Sequence, residues 1–101
     1  MIIYNITVKV DWSIFEGWLK WMKEERIPAM LNTGLFVEHR FMRLLGTDET
    51  DGPTFAVQYF AASLEDYNQY LSDYRALNNE QEFTNWRNRM VQFSTVMELV
   101  V

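Results

Sequence analysis

The sequence predicts an α+β fold, a four-stranded antiparallel sheet with its helices on one face, and two features carry that reading. Residues 2–10 alternate apolar and polar side chains with a period of two, the signature of a strand with one face in a core. Residues 12–34 then form the longest helical pattern in the chain and hold three of the four tryptophans. At 100° per residue, Trp21, Ile14, Trp18, Met22, Phe15, Leu19 and Trp12 cover an arc of about 180°, wider than the stripe of somewhat over ~100° that an ordinary surface helix presents. Something besides its own sheet is expected to cover this helix.

Each element follows from its residues. Ile2, Tyr4, Ile6, Val8 and Val10 make the inward face of the first strand. Asp11 is placed as the N-cap of the first helix, its carboxylate accepting from backbone N–H groups at the positive end of the dipole. Pro28 should end or kink that helix, with residues 29–31 as a further turn and Gly34 as a left-handed cap. Residues 36–45 read as a second strand with two mixed faces, so its inward face stays open. The acidic, glycine-containing run 46–53 is a hairpin turn, and residues 54–61 return as the third strand. Ser63 begins an approximate capping box, and Leu64, Tyr67, Leu71 and Tyr74 recur at helical spacing. Asn78 and Asn79 are expected to interrupt this second helix, with a short amphipathic segment through Phe83 and Trp86 after them. Residues 90–100 close the chain as a fourth strand, with Val91, Phe93, Thr95, Met97 and Leu99 expected inward. The resulting β-α-β-β-α-β order is that of the ferredoxin-like split βαβ arrangement.

Composition narrows the function classes. The 101 residues fit one domain, 1–101, with a single small core. A net charge of −5 argues against binding a phosphate backbone, so no nucleic acid partner is expected. The chain has no cysteine, which removes disulfides, thiolate metal sites and cysteine nucleophiles together. No stretch has the roughly 18 apolar residues of a membrane span and no basic leader precedes an apolar core, so a soluble, cytoplasmic protein is expected.

In this arrangement the sheet face away from the helices is either solvated or buried against a partner. On the first, third and fourth strands it reads Ile3, Asn5, Thr7, Lys9; Ala56, Gln58, Phe60; and Gln92, Ser94, Val96, Glu98. Half polar and half apolar, this surface suits a homodimer whose paired sheets enclose a small wet cavity. Asn5, Thr7, Gln58, Gln92 and Ser94 are the candidate lining for a small organic ligand, with water-bridged interface polarity as the plainer reading. Trp12, Trp21, Phe60 and Val96 are the interface candidates. His39, the only histidine, is the candidate general base or haem ligand if it faces the cavity; otherwise it is a strand histidine at the surface. Asp48, Glu49 and Asp51 lack the further ligands of a calcium loop, and no phosphate loop or nucleophile elbow occurs. No metal and no cofactor are predicted.

Strand order and length resemble the dimeric α/β-barrel proteins, in which two ferredoxin-like subunits pack open sheet faces together. That group includes cofactor-independent monooxygenases and haem-degrading enzymes. More narrowly, the runs MIIYN at 1–5 and WLKWM at 18–22, Ile27-Pro28, Thr33-Gly34 and Val57-Gln58-Tyr59 resemble a small domain-of-unknown-function family of about this length. The resemblance spans almost the whole chain and implies the fold and the pairing, with no catalytic residues to carry over. Three functional readings follow: a homodimeric binding or structural module, a monooxygenase-like enzyme acting on a small aromatic substrate, and an interaction module that uses the tryptophan-rich helix.

Overall fold

The first strand, β1 (Ile2–Val10), organises the sheet, because both of its edges are paired. A computed structural model describes residues 1–101. The remaining strands are β2 (Glu38–Arg43), β3 (Thr54–Ala61) and β4 (Met90–Glu98), in the antiparallel order β2-β3-β1-β4. Helix α1 runs through Phe15–Trp21, a π-helical turn at Met22–Arg26, and Ile27–Asn32. Helices α2 (Leu64–Asp73) and α3 (Arg75–Trp86) follow β3, and a 3₁₀ turn at Arg87–Arg89 leads into β4. This is the ferredoxin-like order expected from the sequence.

The core lies between β1, β3 and the helices. Tyr4, Val8 and Val10 of β1 and Phe55, Val57 and Tyr59 of β3 meet Trp18, Met22 and Met30 of α1 and Tyr67 and Tyr70 of α2. Aromatic contacts knit these layers together: Trp18 sits 5.1 Å from Phe55, and Tyr4 lies 5.3 Å from Tyr70. Arrangements of this kind add about 0.5–1.5 kcal/mol per pair beyond the area they bury.

Several local expectations need revision. Asp11 does not cap α1; its Oδ1 accepts from the Ser13 backbone N–H at 2.8 Å in a turn before the helix, whose N-cap is Ile14. The helix neither ends nor restarts at Pro28. Ile27 N–H donates to the Met22 carbonyl five residues back, and the widened turn carries the chain into Pro28, which has no N–H to donate. Gly34 adopts φ +77°, the left-handed conformation expected after the helix. Ser63 caps α2 as expected, accepting from Asp66 N–H at 3.2 Å. The interruption between α2 and α3 falls at Tyr74, not at Asn78 and Asn79. Asn78 stays helical because its side chain is engaged, donating to Tyr70 Oη at 3.2 Å.

The largest correction concerns β4. Val10 pairs with Met90 and Val8 with Gln92, so Met90, Gln92, Ser94, Val96 and Glu98 lie on the helix side. Val91, Phe93, Thr95 and Met97 project instead from the open face, and Leu99 lies beyond the strand. Residues directly opposite in an antiparallel pair share a face, so the inward set of β1 decides the matter. On β2, Phe41 pairs with Val57 and packs beside Trp18, which places His39, Phe41 and Arg43 towards the helices.

Candidate functional site

The open face is ordered in rows across the strands. Arg40, Gln58, Asn5 and Thr95 form a polar row through the middle of the sheet. On one side of it lies the row Glu38, Phe60, Ile3, Met97, and on the other Met42, Ala56, Thr7, Phe93. Asn5 donates to Thr7 Oγ1 at 3.3 Å, and the Arg40 guanidinium stands 5.5 Å over the Phe60 ring. Phe93 is 63% exposed and Val91 72%, on a strand that carries almost no charge. A polar band flanked by apolar rows is suited to a partner surface of the same pattern.

The ligand candidates therefore divide. Asn5, Thr7 and Gln58 share the open face, whereas Gln92 and Ser94 sit on the helix side opposite Val8 and Ile6. Val96, an interface candidate, also lies on the helix side, and Phe60 keeps its place on the open face. His39 faces away from Asn5 and Gln58 and lines a groove with Ile27, Pro28 and Leu31 of α1. These residues do not form one constellation. Trp21 is covered within the chain by Trp86 of α3, ring centres 5.7 Å apart, which supplies the additional cover that the wide arc of α1 demanded. Trp12 remains half exposed, its indole N–H donating to the Glu49 carbonyl at 2.8 Å. The acidic hairpin is engaged with its own side chains: Arg43 pairs with Glu49 at 2.7 Å, and Asp48 accepts from Thr50.

A second polar cluster lies inside, and sequence reading missed it. The π turn of α1 turns Arg26 inward, where it is only 5% exposed. Its guanidinium lies 3.6 Å from the Glu82 carboxylate, donates to the Asn78 carbonyl at 3.2 Å, and stands 4.7 Å over the Trp21 ring. Gln92 donates to the other Glu82 oxygen at 2.7 Å. Burial pushes the Glu82 carboxyl above its ordinary value, opposed by the Arg26 charge and the Gln92 hydrogen bond. Burial likewise raises the Tyr59 phenol, whose hydroxyl has no hydrogen-bond partner. A narrow void bordered by Tyr59, Arg26, Asn78 and Glu82 sits here. Beside it a wider cleft opens between α3 and the helix side of β1 and β4, and Glu82, Gln92, Ile6 and Met90 border both. The one sequence signal was Gln92 and Ser94 as neutral hydrogen-bonding groups, assigned to the wrong side of the sheet.

No helix is long and apolar enough to cross a membrane. Among solved structures, the fold is similar to an ethyl tert-butyl ether (EthD) family protein from Bacillus halodurans C-125, at 11% identity and a TM-score of 0.67, covering 99% of this chain and 100% of that one. It is also similar to a dimeric ferredoxin-like protein from an uncultured marine organism, at 12% identity and a TM-score of 0.69 over 100% and 96% of the two chains. A hydroxynitrile lyase from Passiflora edulis matches at 16% identity and a TM-score of 0.64, over 99% and 96%. At these identities the likeness is one of fold. No curated protein matches the chain in sequence. The family model for the domain of unknown function DUF4286 matches residues 1–100, and the chain belongs to that family.

Proposed function

We propose that the protein is a homodimeric binding module in which two copies pair their open sheet faces. The observation that carries this reading is the exposed apolar set Val91, Phe93 and Met97 on β4, continuous with Ile3 on the same face, where Phe60 is already buried with Arg40 over its ring. At about 3.3 Å per residue and about 4.8 Å between strands, the face measures roughly 30 Å by roughly 19 Å. That footprint approaches the ~800 Å² per partner of a standard interface once side-chain relief is counted. The similarity to a dimeric ferredoxin-like protein supports a two-copy assembly. Between the paired faces, Gln58, Asn5 and Thr95 would meet their copies as a wet polar band able to hold water or a small polar group.

Native mass spectrometry tests the assembly directly. The expected mass is that of two 12.1 kDa chains, and Phe93→Lys is expected to yield folded monomers. A wild-type monomer at micromolar concentration would overturn the proposal.

A further inference from the structure

The cleft between α3 and the helix side of the sheet has a chemistry that the open face lacks. Its volume is about 450 Å³, inside the roughly 300–1,000 Å³ typical of small-molecule sites. Tyr4, Ile6, Phe83 and Met90 give it an apolar wall, and Phe83 is left largely exposed. The mouth is cationic. Arg75 begins α3, Arg87 directly follows it, and both residues line the cleft.

Neither arginine is used by the fold. The ion pairs of the protein engage Arg26, Arg40 and Arg43, while Arg75 and Arg87 face no carboxylate within salt-bridge distance. The one acid in the cleft wall is Glu82, and its charge is met by Arg26 and Gln92. The local balance is therefore positive in a chain of net charge −5. Arg87 is also the only non-glycine residue with positive φ, at +45°. Strained backbone of this kind collects at ligand clamps, and a glycine would relieve it.

We propose that this cleft binds a small organic acid, its carboxylate held by Arg75 and Arg87 and its apolar body laid along Tyr4, Ile6, Phe83 and Met90. Asn79, Gln92 and Ser94 supply neutral hydrogen bonds to any further polar group on the ligand. Guanidinium forks suit carboxylates because each can donate two parallel hydrogen bonds. The site opens on the helix side of the sheet and shares only Phe93 of β4 with the pairing face, so the two arginine substitutions test it separately from the dimer.

The test is an NMR titration of the isotope-labelled full chain with millimolar benzoate, phenylacetate and hexanoate, each set against its neutral amide. At least one acid is expected to shift the amide signals of Asn79, Gln92 and Ser94 and to bind about tenfold tighter than its amide. Arg75→Gln and Arg87→Gly should each bring that acid down to the affinity of its amide while the rest of the spectrum stays native. Arg87→Gly guards against misfolding, since it relaxes the backbone as it removes the charge. Silence of the cleft signals with all three acids would overturn the inference, as would equal binding of acids and amides or insensitivity to both substitutions.

Discussion

Removing the buried guanidinium by Arg26→Met should be among the most damaging single substitutions in the protein. Arg26 is 5% exposed and the Glu82 side chain 12%, so the carboxylate left behind cannot recover its hydration. Breaking one side of a buried ion pair costs about 3–5 kcal/mol. Gln92 still donates to Glu82 and the cleft opens nearby, which points to the lower end, about 3 kcal/mol. For a chain of this size that lowers the melting temperature by roughly 12–24 °C, at about 4–8 °C per kcal/mol. Arg26→Met with Glu82→Leu should recover most of the loss, because an apolar pair of similar volume needs no compensation. The pH dependence is diagnostic. Glu82 already has a raised carboxyl in the folded state, so its contribution is fully present below its ordinary value of 4.5 and lost as pH rises through the folded value. Without Arg26 the carboxyl rises further, and the deficit at pH 5 should be smaller than at pH 7. Urea unfolding of the single and double variants at both pH values measures this. A single-variant cost under about 1 kcal/mol, or a double variant as unstable as the sum of its singles, would refute the reasoning.

Two further predictions concern stability. Gly52→Ala would place a Cβ 1.7 Å from the Val10 carbonyl oxygen at φ +156°; overpacking alone costs about 1–3 kcal/mol, and a melting temperature within a degree or two of wild type would contradict the close approach of this hairpin to β1. Tyr59→Phe removes a buried hydroxyl without a partner and should stabilise by about 1 kcal/mol; a loss of stability in urea would mean that the hydroxyl is satisfied by water in the adjoining void.

The sequence made the framework readable because its periodicities and punctuation act locally. Alternation in β1 and β3, Ser63 as a cap and Gly34 after α1 all depend on neighbours in the chain, and all are found where expected. The facing of β4 is not local. Alternation in MVQFSTVME says which residues share a side, while only the pairing of Val10 with Met90 says which side meets the helices. Arg26 was invisible for a related reason. An arginine after three charged helical positions reads as solvated, and the π turn that brings it inward has no periodic signature of its own. His39 shows the converse: its strand was found, but mixed faces could not reveal that it points at α1 and away from Asn5.

The two edges of the sheet are protected differently, and this bears on where a second copy sits. Edge strands present unpaired backbone groups and are commonly guarded by charge. β2 is guarded, with Glu38, Arg40 and Arg43 along six residues. β4 carries only Glu98, at its end, and leaves Val91 and Phe93 open to solvent. An interface centred on the sheet would cover both edges equally; one shifted towards β4 covers the unguarded apolar side and leaves the charges of β2 in water. The same charge placed at each edge separates these arrangements. Phe93→Lys removes an aromatic anchor and should weaken association by about 2 kcal/mol or more, roughly 30-fold. Met42→Lys, in the same row on β2, should change it only a few-fold. Sedimentation equilibrium on the two variants would measure both constants, and equal weakening would show that the copies meet across the full width of the sheet.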